Sequence, residues 1–103
     1  MRAPMRGELH WAEVVHTNGV VKRRPVLELS AVELNTPIVV PATTTIRELP
    51  SEVSLSVYGL KGVLNTLAAG PIERRNLVET IGLVDDKLLD EVCQALAWTT
   101  GCR

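Results

Sequence analysis

Apolar and polar positions along the chain fall mostly into short, separated runs. Leu9, Trp11 and Glu13 would share one face of an extended segment over Gly7–Val15, and His10, Ala12 and Val14 the other. Both faces are partly apolar, which suits a small barrel. His16-Thr17-Asn18-Gly19 is a turn, and Asn-Gly is a strong hairpin signal. A second strand is predicted over Arg24–Ser30. Ser30 would cap a single helical turn through Leu34, with Glu33 in capping-box position.

A third strand is expected over Thr36–Thr43, carrying the β-branched run Ile38-Val39-Val40 between two prolines. Residues 44–50 read as a loop. Ser51–Tyr58 alternates cleanly, with Val53, Leu55 and Val57 against Glu52, Ser54 and Ser56. After a turn over Gly59–Gly62, a fifth strand is predicted over Val63–Ala69 and broken by Gly70-Pro71. A helical turn over Glu73–Leu77 and a sixth strand over Val78–Val84 follow. Leu88, Leu89, Val92, Cys93, Leu96 and Ala97 then recur at helical spacing, with Asp85 or Asp86 as N-cap and Gly101 as stop. This order predicts a mainly β (α+β) chain: about six strands in a small, mostly antiparallel barrel, short helical turns, and a C-terminal helix.

Composition narrows the picture. The 103 residues suit one domain over 1–103, and the apolar content of 46% permits a core without metal or disulfide staples. Aromatics are only 3% and Phe is absent, so the core must be aliphatic; Trp11 is placed in it. No apolar run is long enough to cross a bilayer, and no signal peptide is evident. Cys93 and Cys102 lack metal-ligand spacing, so neither a metal site nor a cofactor is expected, and a reduced cytoplasmic setting is the default. The net charge of −1 announces no nucleic-acid binder. Its distribution says more, because Arg2, Arg6, Lys22, Arg23 and Arg24 crowd the first quarter while Asp85, Asp86, Asp90 and Glu91 lie in the last.

The candidate chemistry sits on the second and third strands. A basic triplet stands where one begins and a threonine triplet where the other ends. If the two are antiparallel neighbours, a guanidinium and a hydroxyl meet and can hold a phosphate. From the residues alone, the favoured reading of Arg24 is a surface arginine paired with Glu28 or Glu48.

Several segments together resemble the MazF/PemK family, the mRNA interferase toxins of bacterial toxin-antitoxin systems. They are Arg6-Gly7-Glu8-Leu9-His10-Trp11-Ala12, Arg24-Pro25-Val26-Leu27, Val39-Val40-Pro41-Ala42-Thr43, Ser51-Glu52-Val53, Val63-Leu64-Asn65 and Leu77 through Gly82, in family order. The resemblance implies an SH3-like barrel, a homodimer, metal-independent cleavage of single-stranded RNA, and a cognate antitoxin peptide as partner. It implies Arg24 as the catalytic arginine and Thr43 as the catalytic hydroxyl. The turn residue His16 is the local candidate for a general base. Lys22, Arg23, Thr44, Thr45, Arg47 and Asn65 are candidate RNA contacts. With few aromatics on offer, recognition is expected to lean on hydrogen bonds to splayed bases. The alternatives are a non-catalytic RNA- or protein-binding module of the same fold, favoured by the apolar Leu67-Ala68-Ala69 segment, and a CcdB-like gyrase-directed toxin.

Overall fold

The computed structural model describes residues 5–15, 17–31 and 35–102. Its main strands are β1 (Glu8–Val15), β2 (Val21–Glu28), β3 (Ile38–Thr43), β4 (Glu52–Val57) and β5 (Leu60–Asn65). A two-residue β6 (Gly70–Pro71), β7 (Leu77–Leu83) and one helix, α1 (Asp86–Thr100), complete the chain. Six strands run in the order β4-β5-β3-β2-β1-β7, every neighbouring pair antiparallel, and β6 adds to β3. This is the mainly β small barrel expected, with the C-terminal helix laid over its sheet.

Burial on both sides of the sheet explains why β1 reads as apolar on two faces. Leu9, Leu27, Val40, Leu64 and Leu55 form the main core, which Val92 and Ala95 of α1 close. Ala12, Val26, Val39 and Leu77 form a second cluster on the opposite side of the same strands. Burying an aliphatic side chain fully contributes about 1.5–3 kcal/mol, so this double burial is what holds a core free of Phe. His10 is buried as a structural residue, with Nδ1 3.3 Å from Thr80 Oγ1 and Nε2 3.7 Å from Glu8 Oε1.

Local signals set the ends of α1. Asp85 Oδ1 accepts the Leu88 N–H at 2.8 Å, and Gly101 ends the helix in the left-handed region. Between β4 and β5 the turn has only two central residues, Tyr58 and Gly59, both with positive φ (53° and 77°). That twist matches a tight hairpin, so Leu60–Gly62 belong to the strand rather than to the turn.

Other boundaries differ from the sequence expectation. β2 starts at Val21, so the basic triplet lies inside the strand, paired along β1, and not at its mouth. β5 stops at Asn65, whose Oδ1 accepts the Leu67 N–H and caps a 3-10 turn over Thr66–Ala68. The buried Thr66 hydroxyl donates to Ser51 O at 2.6 Å and lies 2.8 Å from Thr99 Oγ1, pinning this turn beneath α1. Gly70-Pro71 is then no break but a short strand on β3. The helical turn expected over 30–34 lies in part outside the described residues, whereas that near 73–77 is present as a 3-10 turn over Arg74–Asn76.

The barrel's two outer strands meet near the β4–β5 turn. Tyr58 Oη donates to Leu83 O at 2.6 Å, and its ring lies over Gly82. A Cβ at Gly82 would come within 2.5 Å of that ring, so only glycine admits the contact.

Candidate functional site

The β2–β3 ladder pairs Glu28 with Val39, Leu27 with Val40 and Val26 with Pro41, and there it ends. Pro25 and Pro41 both lack an N–H to donate, which weakens pairing at this point. Continued two more positions, the same register sets Arg24 opposite Thr43. β3 meanwhile turns to a new neighbour, pairing Ala42 with Leu64 and Thr43 with Val63 on β5. The splayed strands leave a cleft of about 370 Å³ at the rim of the barrel.

Strand alternation gives this cleft two different sides. Arg24 and Thr43 share the face of Ala12, Val26 and Val39, and Lys61 follows from the β3–β5 register as the residue opposite Thr45. This side carries cations and hydroxyls. Trp11, Pro25 and Ala42 share the face of the main core, and with Leu55 and Leu60 they make the other side apolar.

Electrostatics separate the cations. Arg23 is engaged: its guanidinium lies 3.7 Å from Glu13, 3.3 Å from Glu79 and 5.7 Å from the centre of the Trp11 ring. Arg24 and Lys61 have no carboxylate within ion-pair distance among the described residues, so neither Glu28 nor Glu48 holds Arg24. Arg24 and Lys61 are solvent-exposed, and no acidic residue lines the cleft among the described residues. Two unneutralised cations on one wall favour an anionic ligand.

Thr43 is held from two directions. Its Oγ1 accepts the Thr45 N–H at 3.2 Å, which leaves its own O–H to donate elsewhere. Gly62 of β5 packs so close that a Cβ there would stand 2.3 Å from Thr43 O. The following loop is gathered onto one carboxylate, since Glu52 Oε1 accepts the Arg47 N–H at 2.9 Å and the Leu49 N–H at 3.5 Å. Burial acts to raise the Glu52 pKa, but backbone N–H groups of Arg47, Leu49 and Glu48, with the Arg47 guanidinium, outweigh it and hold the carboxyl below its ordinary value.

Of the residues singled out by sequence, the cleft gathers Arg23, Arg24, Thr43, Thr44 and Thr45. Lys22, Arg47 and Asn65 do not line it: Lys22 lies further along β2, Arg47 pairs with Glu52, and Asn65 caps the turn after β5. His16 lies outside the described residues. Sequence reasoning missed Lys61, placed in a turn, and Trp11, placed in the core. Trp11 is only partly buried and lines the cleft. Within the described residues no group of His, Cys, Asp or Glu is arranged to hold a metal ion, and no helix is long and apolar enough to cross a membrane.

Comparison with known proteins agrees with this architecture. A probable endoribonuclease, MazF5 of Mycobacterium tuberculosis, is 32% identical over 107 residues, spanning 96% of this chain and 94% of the relative. The MazE–MazF crystal structure from Deinococcus radiodurans superposes with a TM-score of 0.87 at 25% identity, covering 100% of both chains. An endoribonuclease in complex with its cognate antitoxin, from a mycobacterial species, shares the fold with a TM-score of 0.85 at 23% identity and 98% coverage of each chain. Residues 5–99 match the model of the PemK-like, MazF-like toxins. The chain therefore belongs to the PemK-like, MazF-like toxin family of type II toxin-antitoxin systems.

Proposed function

We propose that the chain is an endoribonuclease toxin that cuts single-stranded RNA at the cleft between β2 and β3. The observation that carries this reading is one cleft lined by both Arg24 and Thr43, with no carboxylate on its walls among the described residues. In the proposed reaction the ribose 2′-OH attacks the adjacent phosphorus as the bond from phosphorus to the 5′-oxygen breaks. A base takes the 2′-OH proton, and the departing 5′-oxygen receives one. The products are a 2′,3′-cyclic phosphate and a 5′-hydroxyl end.

Arg24 offers a planar fork of donors to the phosphoryl oxygens, whose charge grows in the transition state. Thr43 donates its O–H to a phosphate oxygen and helps keep the attacking group in line. Lys61, on the same side of the cleft, adds positive charge for a neighbouring phosphate. His16, next in sequence after β1, is assigned the base. The reaction uses no cofactor, and its setting is the cytoplasm.

The same reading gives the chain an antitoxin peptide as partner and a second copy of itself. Complexes of structural relatives with an antitoxin, or of MazF with MazE, support the first. The tip of the β1–β2 hairpin supports an association in general: Val14, Val15, Val20 and Val21 are each more than 40% exposed, and Val15 pairs with Val21.

The experiment is incubation of the purified protein with mixed single-stranded RNA in EDTA. Discrete fragments with 5′-hydroxyl ends are expected, and they should disappear with Arg24→Ala. Fragments that persist unchanged in that variant would refute the assigned site, and intact RNA would refute the activity.

A further inference from the structure

We infer that the apolar side of the cleft is a nucleobase slot, in which one unstacked base lies against Trp11 while its phosphate rests on the Arg24 side. This deepens the ribonuclease reading and rests on it for the identity of the polymer. The two sides follow from the sheet itself. Where β2 and β3 part, the face bearing Arg24 and Thr43 meets the face bearing Trp11, Pro25 and Ala42 at one rim. A nucleotide has the same division, an anionic phosphate joined to a flat and largely apolar base.

Trp11 is built to hold such a base. Arg23 lies over its ring at 5.7 Å and is itself held by Glu13 and Glu79, so the indole is braced by a cation whose charge is already balanced. Arg23 is thus a strut for the ring rather than a further phosphate contact. Trp11 is only partly buried and still lines the cleft, beside the aliphatic Leu55 and Leu60. Aromatic stacking strengthens single-strand binding by about 1–3 kcal/mol per base, and every base has a π-face to offer. Recognition then leans on stacking, against the expectation drawn from the scarcity of aromatics.

The test uses the Trp98→Phe variant, which leaves Trp11 as the one tryptophan; Trp98 is 60% exposed and lies outside the cleft. Homopolymeric 2′-deoxy oligonucleotides, which lack the attacking hydroxyl, are titrated against Trp11 fluorescence, beside an abasic deoxyribose-phosphate chain of equal length. Saturable quenching by at least one homopolymer is expected, with the abasic chain binding about tenfold more weakly and leaving the emission unchanged. On cleavable RNA, Trp11→Ala should raise KM about tenfold and Trp11→Phe should restore most of the loss. Equal binding of abasic and base-bearing chains without quenching would overturn the slot. Quenching in a protein that cuts no RNA upholds the slot and removes the nuclease. Cleavage with no quenching and with an unaltered KM in Trp11→Ala removes the slot and leaves the nuclease standing.

Discussion

Arg24 and Thr43 line one cleft where the β2–β3 ladder gives out, each two positions beyond the last pair, Val26 with Pro41. The proposed site depends on that gap, because a continuous ladder would leave no room for a phosphate between them. Arg24→Ala should lower kcat about 100- to 1000-fold while leaving the melting temperature almost unchanged, since the side chain is exposed and has no partner to lose among the described residues. Arg24→Lys keeps the charge and loses the fork, so it should recover only part of the rate. Single-turnover cleavage with parallel thermal melts separates these effects.

Thr43→Ser keeps the donor and should retain most activity, whereas Thr43→Val, of similar shape, should behave like Arg24→Ala in kcat. If Thr43→Val cleaves at the normal rate, the hydroxyl has no part in the reaction.

Gly62 sets the position of Thr43 through backbone contact. A methyl group at residue 62 would stand 2.3 Å from Thr43 O, and its φ of +149° is unfavourable for any side chain. Gly62→Ala should therefore both destabilise the protein, by about 1–3 kcal/mol in urea unfolding, and displace the hydroxyl from the cleft. Activity measured well below the melting temperature should fall more than the loss of folded protein explains.

Glu52 gives the loop over 44–50 an acid sensitivity of defined sign. Its carboxyl is held below its ordinary value in the folded state, so the unfolded chain takes up a proton first as pH falls. The stabilisation is complete above the ordinary glutamate pKa and is lost as pH drops through the lower folded value. Glu52→Gln should flatten the acid limb of the stability profile. In the unaltered protein, hydrogen exchange below that range should show the Arg47 and Leu49 amides losing protection before those of β4 and β5.

Much of this arrangement could be read from local chemistry. Asp85 and Gly101 mark the helix ends because caps are local events, and Asn18-Gly19 marks the first hairpin for the same reason. Arg24 and Thr43 could be brought together on paper because β2 and β3 are consecutive, leaving little freedom in their pairing. Lys61 could not, since its place opposite Thr45 follows from the pairing of β3 with β5, which no local pattern reveals. Trp11 escapes a reading from periodicity because β1 is apolar on both faces, and alternation along β1 does not say that the neighbouring β2–β3 ladder opens beside this residue. Thr66 ended β5 early through bonds to Ser51 and Thr99, contacts distant along the chain. Asn65 supplied the local half of that signal, a cap for a turn that its setting among apolar residues disguised.

The clasp between Tyr58 and the Gly82–Leu83 backbone has a dynamic consequence. It joins the sheet's outermost strands through one phenol and one carbonyl rather than a zipper of amides. Such a fastening can spring while every hairpin on either side stays intact, at a cost of about one hydrogen bond and one ring contact. The wall of this barrel should thus breathe at a single stitch, far more often than the whole chain comes undone.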